Sequence, residues 1–104
     1  MQPATETKAR RSPRILLDVD VNIYSQKAGL VPGRTLDISE SGIAVMLPVE
    51  LPIGEAVKLE ISFPLEPATV GAVVRNRNVF RYGFEFEPPD TGRELIHKVP
   101  NSPS

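Results

Sequence analysis

Proline and glycine are so closely spaced along this chain that long helices have little room. The 104 residues include 11 prolines and 7 glycines, and these separate short apolar segments. Proline lacks the backbone donor that a helix interior needs, and both residue types are typical of turns. Breaks at intervals of about 8 to 12 residues therefore predict short strands joined by turns.

Apolar and polar residues alternate within these segments, as expected for strands that bury one face. The strictest alternation covers residues 17–23 and predicts the first strand. Five further strands are predicted at about residues 30–37, 42–47, 57–63, 69–78 and 82–86. Asp90 or Thr91 is expected to cap a helix of about two turns that ends by Lys98. The pattern predicts an all-β fold, a six-stranded antiparallel β-barrel with a short C-terminal helix or turn.

Length and composition indicate one globular domain. Apolar residues make up 40% of the chain and charged residues 24%, which is typical of a protein with a packed core. Residues 1–14 are polar and lack periodicity, so we expect a flexible basic arm there. The barrel domain is expected over residues 15–98 and a disordered tail over residues 99–104.

The composition excludes several classes of site. The chain has no cysteine and one histidine, His97, which we expect at the surface. Disulfides and thiolate metal sites are therefore excluded, and most nucleophile-and-base mechanisms lack the residues they need. The longest apolar run, residues 43–47, is far shorter than the ~20 residues of a membrane helix, and the N-terminus lacks a secretory apolar stretch. We expect a cytoplasmic, non-enzymatic protein with no cofactor or metal and no membrane insertion.

Charge is unevenly distributed along the chain. The formal net charge is −1. Residues 1–14 hold four basic residues and one glutamate, 4 − 1 = +3, whereas residues 40–66 hold one lysine and five glutamates, 1 − 5 = −4. A basic arm beside a nearly neutral barrel is suited to a small anion, while bulk nucleic acid or an anionic membrane would require a larger positive surface.

Two arginines of the arm, Arg10 and Arg14, are four residues apart. In an extended segment their Cα atoms would lie about 13 Å apart on one face. The planar guanidinium group can donate paired hydrogen bonds to a phosphate or to the O6/N7 edge of guanine, and its flat face can stack on a purine.

A second motif, Asp-Ile-Ser-Glu-Ser-Gly, occupies residues 37–42. In a ligand site, Asp37 would accept a hydrogen bond from the N–H edge of guanine, Ser39 would supply a hydroxyl, and Gly42 would leave room for a base. The alternative is an ordinary turn in which Gly42 adopts a positive φ or permits a close backbone approach.

Together, Arg-x-x-x-Arg at residues 10–14 and Asp-x-Ser-x-x-Gly at residues 37–42 resemble the signature of the PilZ family. The resemblance covers about residues 9–90, including the segments 71–75 and 81–86. PilZ domains are six-stranded antiparallel barrels that bind cyclic di-GMP, a bacterial second messenger, and pass the signal to a neighbouring domain or partner. The ligand-binding residues that the resemblance implies are Arg10, Arg14, Asp37, Ser39, Gly42 and Arg75.

The resemblance also separates the other arginines by role. Arg11 would be at most an auxiliary phosphate contact, and Arg77 and Arg81 are expected to belong to a solvated face. Position 9 is alanine, where the family often has a further arginine. A methyl group cannot stack on a second ligand molecule or bind its phosphates, so Ala9 predicts one ligand per chain.

Three functions follow from these observations. The first is a cyclic di-GMP-binding regulatory module that transmits the signal to a partner protein. The second is a protein-interaction module with the same fold that does not bind the nucleotide. The third is a single-stranded nucleic-acid binder of OB or Sm type, which needs exposed aromatic platforms. Because Tyr82, Phe84 and Phe86 are expected to face inward, DNA and RNA are not expected as partners.

Overall fold

The computed structural model describes residues 13–100. Its elements are β1 (Ile15–Leu16), β2 (Asp20–Ser25), β3 (Gly29–Ile38), β4 (Gly42–Met46), β5 (Ala56–Ile61), β6 (Ala68–Asn78), β7 (Arg81–Glu87) and α1 (Gly92–Ile96). The arm predicted over residues 1–14 lies outside the described residues except for its last two positions.

The predicted six-stranded antiparallel barrel is confirmed, with β1 as one additional short strand. The barrel strands follow the order β3, β2, β5, β6, β7, β4, and pairing between β3 and β4 closes the cylinder. The ten residues of β3 make this closure possible, because its first half pairs with β2 and its second half with β1 and β4.

The strand predicted over residues 17–23 is observed as β2 over Asp20–Ser25, so its predicted start is three residues too early. Strand β1 ends at Leu16 and β2 begins only at Asp20, because the buried side chain of Thr35 lies between them. The Thr35 hydroxyl donates to the carbonyl of Leu17 at 2.7 Å and accepts from the amide of Val19 at 2.9 Å. The Thr35 hydroxyl thus bridges residues 17 and 19, between backbone bonds from the amide of Leu17 to the carbonyl of Leu36 and from the amide of Thr35 to the carbonyl of Val19.

The barrel interior is filled by the apolar faces of all six strands. Tyr82, Phe84 and Phe86 are all buried, as predicted from the alternation in the last strand. The Tyr82 hydroxyl donates to the carbonyl of Val49 at 3.1 Å and accepts from the amide of Leu51 at 2.9 Å. These bonds satisfy a buried polar group and attach the loop after β4 to the core.

The C-terminal helix is shorter than predicted, since it ends at Ile96 instead of near Lys98. The Thr91 side chain does not cap it and instead donates to the carbonyl of Pro88 at 2.6 Å. The amide of Gly92 donates to the carbonyl of Glu40 at 3.0 Å, so the helix begins against the turn between β3 and β4. Val99 is buried in the core, so packing extends beyond residue 98, while residues 101–104 lie outside the described part.

The turn between β6 and β7 contains a strained residue. Val79 has φ of 60°, a conformation that a β-branched side chain rarely adopts, and it is exposed. The amide of Leu47 donates to the carbonyl of the next residue, Phe80, at 2.9 Å, which fixes the turn against the end of β4.

We predict that Val79→Gly stabilises the protein. Glycine relieves a strain of about 1–3 kcal/mol and costs about 0.5–1 kcal/mol in unfolded-state entropy, so a net gain of about 1 kcal/mol is expected. Urea unfolding measures it. The matched variant Phe80→Gly changes a neighbour whose φ is not positive and should be destabilising; a loss of stability in Val79→Gly would contradict the strain.

Candidate functional site

The pairing of β1 with β3 brings the two sequence motifs together. Ile15 lies opposite Ile38 and Leu16 lies opposite Asp37. This antiparallel register carries Arg14 alongside the end of β3. The Arg14 Nη1 atom donates to Asp37 Oδ1 at 2.6 Å, although the two residues are 23 positions apart in sequence.

The carboxylate of Asp37 is the most enclosed charged group of this region. Its side chain is 12% exposed, whereas those of Arg14 and Arg81 are 59% and 51% exposed. Arg81 Nη2 contacts the second oxygen, Oδ2, at 3.4 Å. A buried carboxylate destabilises the fold unless it is paired with a cation. Here the Asp37 carboxylate is paired with two guanidinium groups at the surface.

The hydroxyl of Ser39 is used within the turn that follows β3. Its Oγ accepts from the amides of Ser41 at 3.3 Å and Gly42 at 3.2 Å, and the backbone amide of Ser39 donates to the carbonyl of Gly42 at 2.8 Å. Ser39 is 3% exposed. Its observed role is therefore to fix the turn that connects β3, which contains Asp37, to β4.

Gly42 is required by a close backbone approach. A Cβ atom at this position would lie 2.4 Å from the carbonyl oxygen of Phe84, far inside contact distance. Gly42 does not have a positive φ, so of the two turn explanations considered for it the close approach applies. The glycine allows β4 and β7 to pair where the site is built.

Arg75 reaches the same region from β6. Its Nε donates to Glu85 Oε1 on β7, and both side chains are partly exposed. The register between β6 and β7 shifts between Val74 and Asn76, directly beside this arginine. Such an irregularity changes the direction in which an outward side chain points.

These residues surround an open cavity of about 320 Å³ on the outside of the barrel. Its lining consists of Arg14, Ser39, Ser41, Gly42, Ile43, Arg75, Asn76, Gly83, Phe84 and Glu85. Two arginines and one glutamate give this lining a formal charge of 2 − 1 = +1. A larger cavity of about 580 Å³ has Asp18 as its only charged lining residue and is therefore poorly suited to an anion.

Five of the six predicted site residues thus lie together. Arg14, Ser39, Gly42 and Arg75 line the cavity, and Asp37 contacts Arg14 directly. The sixth, Arg10, lies outside the described residues, so its role stays a prediction. Arg11 lies outside them as well.

Arg81 was predicted to belong to a solvated face; its side chain is 51% exposed, and it also contacts Asp37, which was not predicted. Alternation along β7 does place Arg81 on the same outward face as Gly83 and Glu85. The contact itself depends on the register of β7 against β4, which the sequence pattern does not provide. Arg77, the other arginine assigned to the solvated face, contacts the exposed Glu50 at 3.6 Å.

Residues 13–100 contain no group of three or more histidine, cysteine, aspartate or glutamate residues arranged to hold a metal ion. Within that same range, no helix is long and apolar enough to cross a membrane. His97 is exposed at the end of α1.

Comparison with known proteins identifies the family. The model of the PilZ domain matches residues 8–99. The cellulose synthase catalytic subunit (UDP-forming) of Xanthomonas axonopodis pv. citri strain 306 is 37% identical over 75 residues, a match that covers 69% of this chain. The chain spans about 10% of the length of that relative.

Solved structures share the fold. The PilZ domain of YcgR from Escherichia coli, solved with c-di-GMP, superposes with a TM-score of 0.71 at 20% identity and covers 86% of this chain and 88% of its own. The PilZ domain of CeSA from a cellulose-synthesizing bacterium superposes with a TM-score of 0.62 at 24% identity. This match covers 72% of this chain and 80% of the CeSA domain. The Bacillus subtilis inhibitor of motility, MotI/DgrA, gives 0.63 at 24% identity, covering 83% of this chain and 46% of its own.

The barrel, the matched residues 8–99 and the identity to the cellulose synthase subunit agree, and the chain belongs to the PilZ domain family.

Proposed function

We propose that this PilZ domain binds cyclic di-GMP at the cavity between Arg14 and Arg75 and acts as a regulatory module for a partner protein. The observation that carries the proposal is the convergence of Arg14, Ser39, Gly42 and Arg75 on one cavity, with Asp37 bound to Arg14. The YcgR domain with the same fold was solved with this ligand.

The charges of the site suit a cyclic dinucleotide with two phosphates. Arg14 uses one nitrogen for Asp37 and is 59% exposed, so its other donors face solvent. In the free protein the carboxylate keeps this guanidinium group at the cavity, where a phosphate or a guanine edge can reach it. In this proposal Asp37 holds Arg14 at the cavity until the ligand arrives, and it also offers an acceptor to a guanine N–H.

The role is regulatory rather than catalytic in this proposal. Asp37 is shared by two arginines and Glu85 is paired with Arg75, so the carboxylates at the cavity are engaged in ion pairs. A general base needs a carboxylate or imidazole free to take a proton. His97 is not among the described lining residues. A second messenger inside the cell also implies a cytoplasmic location.

The aromatic residues of β7 do not offer a platform for single-stranded bases. Tyr82, Phe84 and Phe86 are at most 3% exposed, so these three rings are not available as a stacking platform for single-stranded bases. The remaining alternative is a PilZ interaction module that binds a protein without the nucleotide, and a titration separates it from the proposal.

We predict that Arg14→Ala weakens cyclic di-GMP binding about ten- to a hundredfold, the value of one charge-assisted hydrogen bond of about 1.5–3 kcal/mol. Isothermal titration calorimetry measures the change, with GTP as the competing guanine nucleotide. The matched control is Arg34→Ala. Arg34 is a half-exposed arginine paired with Asp18 and Asp20, which raise its pKa, and it does not line the cavity.

The control should bind like the wild-type protein. Equal affinity for cyclic di-GMP and GTP, or equal losses in Arg14→Ala and Arg34→Ala, would contradict the site. A wild-type protein that binds neither nucleotide would favour the interaction module.

The number of bound ligands gives a second prediction. Position 9, outside the described residues, is alanine, so the extra cationic contacts for a second ligand molecule are lacking. We predict a calorimetric stoichiometry near one for the wild-type protein. Ala9→Arg should move the stoichiometry towards two. A wild-type stoichiometry near two would show that position 9 does not set the number of bound ligands.

A further inference from the structure

We infer that Arg81 is a positioning residue of the site: it neutralises Asp37 when a ligand phosphate draws Arg14 away from that carboxylate. The inference rests on the proposed function and adds a residue that the family motifs do not include. It begins from the unequal contacts of Asp37, 2.6 Å to Arg14 and 3.4 Å to Arg81.

Asp37 cannot readily lose both cations. Its side chain is 12% exposed, and a carboxylate this enclosed is strongly destabilising without a partner. Among residues 13–100, Arg14 and Arg81 are the basic side chains within 4.0 Å of its oxygens. Any phosphate that competes with Asp37 for Arg14 therefore leaves Arg81 as the described cation that can compensate the charge.

The two arginines differ in how the fold holds them. Arg14 precedes β1, a strand of two residues paired only with β3. Arg81 is the first residue of β7 and has a partner on each side, Met46 on β4 and Asn78 on β6. The backbone of Arg81 is thus fixed by two neighbouring strands, whereas Arg14 lies at the entry of the chain into the sheet.

This difference assigns separate tasks to the two guanidinium groups. Arg14, which lines the cavity and precedes a strand paired on one side only, is the group that can turn towards an anion. Arg81 remains beside Asp37, with its Nη2 atom 3.4 Å from Oδ2. Without Arg81, the carboxylate would retain Arg14 and compete with the ligand for it.

A ligand-free experiment tests the shared carboxylate. Urea unfolding is measured for the wild-type protein, Arg14→Gln, Arg81→Gln and the double variant. The double variant should lose more stability than the two single variants together, because only then is Asp37 left without a cation. Additive losses would overturn the inference. A control set of variants uses Arg77→Gln in place of Arg81→Gln, because Arg77 is on the same hairpin but contacts Glu50 instead of Asp37.

A titration tests the effect on the ligand. Arg81→Gln should weaken cyclic di-GMP binding roughly tenfold, about the value of one charge-assisted hydrogen bond from a half-exposed arginine. Arg81→Lys, which keeps the charge, should retain most of the affinity. In an Asp37→Asn background, where no carboxylate needs compensation, Arg81→Gln should have no further effect.

The outcomes separate the two proposals. Unchanged binding in Arg81→Gln, or no recovery in Arg81→Lys, would overturn the positioning role. A loss of the same size in the Asp37→Asn background would show that Arg81 contacts the ligand directly. If Asp37→Asn abolishes binding, the affinity of Arg81→Lys and the additivity of the unfolding losses test the positioning role instead. A wild-type protein that binds no cyclic di-GMP would end the proposed function and the binding role of Arg81, while non-additive unfolding would still establish the shared carboxylate.

Discussion

The geometry of the site depends on a short antiparallel pairing between β1 and the end of β3. Two residues, Ile15 and Leu16, form this strand, yet their register places Arg14 beside Asp37. Where the chain passes from β1 to β2, the Thr35 hydroxyl bridges residues 17 and 19, and backbone bonds on either side keep this segment attached to β3. Without the pairing of β1 with β3, the residues that precede the barrel would have no fixed relation to the turn after β3.

The barrel separates packing from recognition. Aromatic and aliphatic side chains fill the interior, and the proposed site uses charged groups and backbone on the outer face of β3, β4, β6 and β7. Close backbone approach at Gly42 and the hydroxyl of Ser39 fix the shape of this face. Asp37 then links that rigid frame to the arginines, because an enclosed carboxylate requires a cation within reach.

Local patterns were sufficient to predict the architecture. Alternation identified the barrel strands, including β7 with its buried Tyr82, because one buried face leaves a clear period of two. The break after Leu16 was missed, since it is caused by Thr35 from another strand. The contact of Arg81 was missed for a similar reason, because it arises from strand register across the barrel rather than from neighbours in sequence.

For the second motif, the turn considered as an alternative is observed in the structure. Ser39 and Gly42 were predicted to contact a ligand, and the structure shows that both also have structural tasks in the turn and in strand pairing. Such residues are constrained by the fold itself, so their presence alone does not distinguish a binding module from an interaction module. Arg14 and Arg75 discriminate better, since exposed arginines at a cavity are not needed for packing.

The most direct test of the account is a map of amide chemical shifts in a ¹H–¹⁵N NMR titration with cyclic di-GMP. Shifts should concentrate at Arg14, in the turn after β3, around Arg75 and along β7, while the amides in the middle of β2 and β5 remain unchanged. Shifts confined to β2 and β5, or no shifts at saturating nucleotide, would contradict the proposed site.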